Sequence, residues 1–340
     1  MKKALITILQ YVVFLGLGIW IIYHMLHELS PEQEQKLIAS LHQVNLWYAF
    51  PIFIVGFLSH FFRAVRWRYL LETTGMHPTL ANTTMAVLIG YITNLAIPRG
   101  GEVAKCTVLA KYEKMPAHKM IGTIVAERAF DVFCLLVVAV LALLLEFTTI
   151  SDFVADMMKD FKQKIRDHQN ILFISVAILA ILIIAAVIMY RRHKETRFGR
   201  LMKELAHGVL SIFHMKKRWQ FIFYTVLIWL TYLGQIYLGF LALPDTAHLG
   251  ILTALVVLVY GSVGMIITPG GIGAYTWMVA QILTVYAIDD GPAQAFGWIA
   301  WAVQTVIIIL LGIVSFILIH PYNRKRDAQA AVDTEQNIQP

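Results

Sequence analysis

The chain has 340 residues, 59% of them hydrophobic and 14% charged, with a mean hydropathy of +0.68. So apolar a composition excludes a soluble domain and places the chain among integral membrane proteins. The formal charge of +7 does not argue for nucleic acid, because most Lys and Arg residues flank apolar runs, where they meet lipid head groups and set topology. The two cysteines, Cys106 and Cys134, are too few for a disulfide framework or a thiolate metal site. The histidines show no ligand spacing, so neither a metal nor a cofactor is expected.

Apolar runs over residues 4–25, 171–190 and 219–243 match the roughly 20 helical residues that cross a hydrocarbon core. They predict an all-α, polytopic helical bundle. The first run follows Lys2 and Lys3, is too long for a signal-peptide core and lacks a small-residue cleavage site, so it reads as a retained span. The segment 27–46 then sets Glu28, Glu32 and Glu34 against one lysine, with Ser30-Pro31-Glu32 as a helix start. This loop is expected outside. A second span over 47–62 runs into Arg63, Arg66 and Arg68, which mark the cytoplasmic end. Trp67 is expected in the interfacial belt, and Arg63 and Arg66 at a cytoplasmic mouth.

The stretch "YITNLAIPRGGEVAK", residues 91–105, raises a topological conflict. If residues 80–98 crossed the bilayer, Arg99, Lys105, Lys111, Lys114 and Lys119 would lie outside and every later loop would be inverted. The strongly basic segment from Arg191 to Arg218 would then sit on the wrong face. A re-entrant hairpin resolves the conflict: the chain enters from the cytoplasm, turns at Pro98-Arg99-Gly100-Gly101 and returns along a short arm to Lys114. The same argument applies to residues 249–288, where "PGGIG" (269–273) breaks an apolar run that ends at Asp289-Asp290. Here the hairpin opens from outside. The expectation is about six full spans, over 4–25, 47–62, 121–145, 171–190, 219–243 and 293–319, plus two oppositely oriented re-entrant hairpins that allow an inverted repeat. Such opposed broken segments point to a binding site near the bilayer midplane.

Two amphipathic faces, one through Phe153, Met157, Phe161 and Ile165 and one through Phe198, Leu201, Met202, Leu205 and Val209, predict helices lying on the membrane surface. Residues 1–320 form the transmembrane domain, and the polar tail 321–340 is expected to be disordered. The charge pattern places the N- and C-termini in the cytoplasm, which in a bacterial cell makes the membrane the inner one.

Irregular backbone at membrane depth is tolerated only inside protein or beside a wet cavity, because each unsatisfied amide or carbonyl costs several kcal/mol in hydrocarbon. The breaks at Pro98 and Pro269 therefore predict a cavity. A helix restarts after each break, and its first N–H groups favour an anion. Arg99 adds a full charge, with Asn94, Gly100, Gly101, Glu102 and Lys105 beside it and Gly270, Gly271, Gly273 and Thr276 at the second break. The plain alternative is a break in which Arg99 pairs with Glu102 for stability. A second constellation, Glu127, Arg128 and Asp131 in "AERAFD", puts ionisable groups inside the span 121–145. Each costs at least about 2.5 to 3.5 kcal/mol there, so they must face protein and be paired. They form either a polar track for a head group or a structural ion cluster. Trp277 and Gln281 are weaker candidates for the cavity wall.

The motifs "RAVRW", "NLAIPRGGE", "AERAFD" and "PGGIG", in this order over residues 47–319, resemble those of the lysylphosphatidylglycerol synthase transmembrane, or flippase-like, family. The resemblance implies interest in Asn94, Pro98, Arg99, Gly101, Glu102, Glu127, Arg128, Asp131, Pro269, Gly270, Gly271 and Gly273. It also implies lipid translocation or polyprenyl-linked glycan assembly, with aminoacyl transfer left to a separate soluble domain in bifunctional members. The family pattern sets a glutamate soon after the second glycine motif, where this chain has Thr276. Only the short tail follows residue 319, so aminoacyl transfer by this chain is not expected. The leading reading is a translocase for an anionic phospholipid or polyprenyl-phosphate-linked lipid. The chain has no GxxxxGK[ST] loop for nucleotide drive. An intramembrane enzyme acting on a lipid phosphate or glycolipid stays open as an alternative, as does a scaffold for envelope synthesis. A homo-oligomer or an envelope-synthesis partner is equally open.

Overall fold

The computed structural model describes residues 16, 18–25, 27, 29–97, 100–146 and 212–336, and every regular element among them is helical. The helices are α1 (Pro31–His42), α2 (Ala49–Glu72), α3 (Leu80–Ala96), α4 (Gly100–Glu113), α5 (Ala117–Leu145), α6 (Arg218–Ala242), α7 (Ile251–Ile267), α8 (Ala274–Val285) and α9 (Asp290–Gln336). Among the described residues, four segments are long and apolar enough to cross a membrane: Leu46–Glu72, Lys119–Leu145, Arg218–Ala242 and Asp290–Ala330. By contrast, α3 and α7 have 17 residues each and α8 has 12. At about 1.5 Å per residue these reach roughly 25 Å and 18 Å, short of a hydrocarbon core of about 30 Å. The expected span 171–190 and both surface helices lie outside the described residues, as does much of the span 4–25.

The chain divides into two compact units, one of Met1–Ile124 with Met215–Pro340 and one of Val125–His214. In the first, α2 and α6 pack antiparallel. Asn45 donates its backbone N–H to the Ala242 carbonyl at one end, and Lys217 meets Glu72 at 2.7 Å at the other. Gly56 lets the Gln235 amide and Ile307 come close at the seam, since a Cβ there would lie 2.8 Å from Gln235 Nε2. The long α9 carries the charge partition from end to end. At its start Asp289 accepts from Lys36 at 2.9 Å and Asp290 from Gln33 at 2.7 Å, both on α1, while Ser40 of α1 donates to Asp245. A Ser30–Gln33 capping box with proline in the first turn starts α1. The acidic groups Asp245, Asp289 and Asp290 thus share one end of the bundle, and Glu113, Lys217 and Arg326 the other.

At the basic end α9 does not stop where the sequence turns polar. The disorder expected over 321–340 is corrected for residues 321–336, which are helical. The reason is a buried polar contact: Asn82 and Asn323 exchange amide hydrogen bonds at 2.8 and 2.7 Å. Arg326 donates to Glu113 at 3.0 Å and to the Tyr112 carbonyl at 2.8 Å. Glu113 also accepts from the Thr79 hydroxyl and from Asn82, both at 2.6 Å. One carboxylate thereby ties the feet of α3 and α4 to the end of α9. Burial pushes the Glu113 carboxyl up, but the bonds from Thr79 and Asn82 and the Arg326 charge outweigh it, leaving its pKa below the usual value of 4.5.

Within the second unit, Phe130 of α5 packs on Phe133 and Phe213, with ring centroids 5.8 and 6.3 Å apart. Leu136, Val140 and Leu144 remain exposed, as suits a face toward lipid tails.

Removing one partner of the buried amide pair leaves the other unsatisfied, so Asn323→Ala is expected to cost about 1–3 kcal/mol. Thermal denaturation in detergent, in which Asn82→Ala/Asn323→Ala loses less than the sum of the single variants, would check this. The contribution of Glu113 is expected to be fully present above pH 4.5 and to be lost as pH falls through its lowered folded value. Glu113→Gln is expected to flatten that acid limb.

Candidate functional site

Both hairpins form, and each does so through glycine. In the first, α3 and α4 cross where Gly90 meets Gly101: a Cβ on Gly101 would lie 2.1 Å from the Gly90 carbonyl oxygen and 2.6 Å from Asn94 Cγ. Asn94 Oδ1 accepts the Gly101 N–H at 2.7 Å, closing the turn and capping the first turn of α4. The amide oxygen is therefore engaged within the hairpin, and only the Asn94 amide nitrogen has donors to offer an anion. Pro98 and Arg99 lie outside the described residues.

In the second hairpin, Gly270, Gly271 and Gly273 take φ values of 65°, 71° and 72°, a left-handed region that side chains with a Cβ rarely adopt. The Pro269–Gly271 turn leads into α8, which starts at Gly273 without a side-chain cap. The arms touch at Gly264, where a Cβ would lie 2.7 Å from Tyr275 Cα. Other parts of the chain satisfy the carbonyls of the break. Trp301 of α9 donates its indole N–H to the Gly270 carbonyl at 2.8 Å, and the Thr268 hydroxyl donates to the Ile272 carbonyl at 2.9 Å.

The two breaks meet. A Cβ on Gly270 would lie 3.5 Å from Leu95 Cδ2, in the last turn of α3. The first hairpin rises from the basic end, where its feet hold Arg326, and the second descends from the end where α9 begins. Their tips therefore face one another between the two ends of α9, near its Trp301. Two more polar side chains lie close by in sequence and space: Gln304 on α9 accepts from Gln235 on α6 at 3.2 Å.

The half of the bundle between these tips and the basic end holds Arg66 and Lys105, both buried, and Arg63, half-buried. Arg66 is 0% exposed, with Nη1 at 3.4 Å from Thr225 Oγ1 and its guanidinium over the Phe221 ring. Arg63 donates to the Tyr232 hydroxyl. Lys105 is buried, with Nζ 4.3 Å from the centre of the Trp67 ring, and Trp67 in turn donates to Thr123. These positions bear on three expectations. Arg66 lies inside the α2–α6 seam, with its guanidinium over Phe221 and beside Thr225. Trp67, expected in the interfacial belt, is 0% exposed within the protein, and its indole N–H donates to Thr123. Thr276 is buried with its methyl toward Gly297 of α9, so it packs α8 in place instead of facing an open site.

Trp277 and Gln281 are exposed. Glu102 is half-buried on α4. On α5 in the second unit, Glu127 is buried, and Arg128 and Asp131 are half-buried. The structure thus brings together Asn94, Gly100, Gly101, Gly270, Gly271 and Gly273 around one meeting point, with Lys105 on the α4 arm. Glu127, Arg128 and Asp131 are described only within their own unit. No group of three or more His, Cys, Asp or Glu side chains among the described residues is placed to hold a metal ion.

Residues 7–312 match the family model described as the lysylphosphatidylglycerol synthase TM region. The chain belongs to this family. It is also similar to a UPF0104 membrane protein of Methanocaldococcus jannaschii, with 23% identity over 307 residues, covering 84% of this chain and 88% of the relative. No solved structure matches. For this family member, Trp301 is the site residue that sequence reasoning missed. It sits in an unbroken apolar helix, and nothing local marks it as the partner of a glycine carbonyl.

Gly101→Ala is expected to lower stability by about 1–3 kcal/mol, since neither a backbone carbonyl nor the Asn94 cap can yield without opening the hairpin. Gly122→Ala, with nothing within 4 Å of the added methyl, is expected to change little. Parallel melting curves of the two variants compare them directly.

Proposed function

We propose that this protein moves an anionic lipid between the leaflets of the cytoplasmic membrane, holding the head group where the two glycine breaks meet while the tails stay in the bilayer. The observation that carries the reading is the contact of Gly270 with Leu95, which sets two helix starts at one place in the bundle. Opposed broken helices with their ends at one depth are the arrangement that secondary transporters use for substrate.

Charge supports an anion. Arg63, Arg66 and Lys105 lie in the half of the bundle leading to the tips, and Arg99 precedes Gly100 in the sequence. A groove of about 400 Å³ between α3 and α9, lined by Ile89, Ile92, Thr93, Gly312, Ile313 and Phe316 among others, runs beside the first hairpin. It is apolar and suits a hydrocarbon tail whose head group sits one turn further along α3.

In this reading the chain is not an enzyme, since transport needs positioned charge and donors but no activated nucleophile. The basic end faces the cytoplasm, following the positive-inside rule, with both termini on that side.

Vesicles reconstituted with the protein and fluorescent phosphatidylglycerol test the proposal through quenching of the outer-leaflet label. Wild type is expected to bring inner-leaflet lipid within reach of the quencher without altering it chemically. Arg99→Ala is expected to slow this by about tenfold or more, as for loss of a charged hydrogen bond. Appearance of a modified lipid would favour the enzyme reading, and neither movement nor product would favour the scaffold. For sidedness, a membrane-impermeant maleimide added to intact cells is expected to label Asp290→Cys and not Lys111→Cys.

A further inference from the structure

Gln235 of α6 and Gln304 of α9 share one amide–amide hydrogen bond, donated by Gln235 Nε2 to Gln304 Oε1 at 3.2 Å. Gln235 is the eighth residue from the end of α6, and Gly56, which leaves room for its amide, is the eighth residue of the antiparallel α2. At about 1.5 Å per residue the pair sits roughly 10 Å inside that end of both helices. Polar side chains at such depth are costly and turn toward protein or a wet cavity.

The chain contains its own standard for a structural amide contact. Asn82 and Asn323 are buried and exchange two hydrogen bonds, so their pair is closed on itself. The glutamine pair differs on both counts: each side chain is half-buried, and among the described residues the shared bond is the only one that either amide makes. A primary amide carries two N–H donors and a carbonyl acceptor. Whichever glutamine donates, one complete NH2 group and one carbonyl oxygen stay open side by side. Two routes tie the pair to the meeting of the tips. On α9, Gln304 follows Trp301 by one turn on the same face, and Trp301 holds the Gly270 carbonyl. On α2, His60 follows Gly56 by one turn and packs on Tyr91, one turn before Leu95. Since Gly270 and Leu95 touch, the amide pair borders the place where the two hairpins meet.

We propose that Gln235 and Gln304 form the subsite for the hydroxyl groups of a polyol head group, a glycerol or a sugar carried on the lipid phosphate, and thereby set which anionic lipids the protein accepts. An ionised phosphodiester only accepts hydrogen bonds, so the open carbonyl gives it nothing. An ammonium only donates, so the open NH2 group gives it nothing. A hydroxyl does both, accepting from the amide N–H and donating to the carbonyl. Two hydroxyls on neighbouring carbons match the open donor and acceptor together. Because the amides are uncharged, they discriminate between lipids of equal charge.

This inference rests on the lipid-transport reading and deepens it, and two measurements separate the two. Tail-labelled phosphatidylglycerol, phosphatidylinositol and phosphatidylmethanol carry the same phosphodiester charge, and the last has no hydroxyl. In reconstituted vesicles, wild type is expected to move a hydroxyl-bearing lipid about tenfold faster than phosphatidylmethanol, the factor that one neutral hydrogen bond supplies. The faster of the two hydroxyl-bearing lipids names glycerol or sugar. Gln304→Leu and Gln235→Leu are expected to erase this preference while phosphatidylmethanol keeps its wild-type rate. If the variants slow all three lipids alike, the pair is a clasp between helices and the proposal is overturned. A wild type that moves all three at one rate also overturns it and leaves the transport reading standing.

The second measurement is calorimetric titration of the detergent-solubilised protein with the dioctanoyl forms of the same three lipids, and it depends on no transport signal. Tighter binding of a hydroxyl-bearing lipid, by about tenfold and lost in Gln304→Leu, is expected. That result in a protein whose vesicles move no lipid would keep the subsite and remove the transport reading. Equal binding of the three lipids, or binding of none, would overturn the subsite.

Discussion

Backbone that leaves the helix inside a bilayer must find its hydrogen bonds within the protein, and this requirement organises the molecule. Two helices stop halfway, at Ile97 and Thr268, and each stop exposes amides and carbonyls that hydrocarbon cannot serve. The chain meets the demand in three ways. Asn94 takes the Gly101 N–H, Thr268 takes up the Ile272 carbonyl with its hydroxyl, and Trp301 reaches across from another helix to the Gly270 carbonyl. These bonds stabilise the breaks only where glycine permits the close approach. Gly90 with Gly101 and Gly264 with Tyr275 set the distances between arms, and the positive φ values at Gly270, Gly271 and Gly273 turn the second tip.

The bundle is arranged in opposed pairs. In chain order, a long helix precedes a hairpin twice: α2 before α3 and α4, and α6 before α7 and α8. Because α2 and α6 run antiparallel, the hairpins enter from opposite ends, and α9 passes both. Gly312 of α9 lies against Ile92 in the first hairpin, and Gly297 against Thr276 in the second. Polar contacts hold α9 at each end, to α1 through Asp289 and Asp290 and to the feet of the first hairpin through Asn323 and Arg326. In the transport reading, these end contacts are the natural places for the two sides to open in turn, since each ties one hairpin's surroundings to a shared helix.

Much of this plan was legible in the sequence because charge asymmetry is additive along a chain. One basic residue on the wrong side decides little. The block from Arg191 to Arg218, together with Lys111 and Lys114, excludes a full crossing at residues 80–98, and Pro-Gly pairs then mark where the chain can turn. The opposed hairpins follow from that counting. Contacts between distant helices did not follow. Trp301 and Trp67 look alike in a hydropathy profile, as aromatic residues in or beside apolar runs. Only the packed structure shows one holding a glycine carbonyl and the other stacked under Lys105. Arg66 reads as an interfacial anchor until Phe221 and Thr225 are seen to enclose it. The polar end of α9 reads as disordered because its composition lacks apolar residues, but the order comes from Asn82, Tyr112 and Glu113, more than 200 residues away in sequence.

The meeting of the tips can be measured directly. With Cys106 and Cys134 replaced by alanine, a short bis-thiol cross-linker applied to membranes carrying Leu95→Cys and Gly270→Cys should join the two sites. Leu95→Cys paired with Asp290→Cys should remain unjoined. If the first pair fails to cross-link while each thiol is labelled singly from opposite water phases, the glycine breaks lie at separate membrane borders, and no common site exists for a head group to occupy.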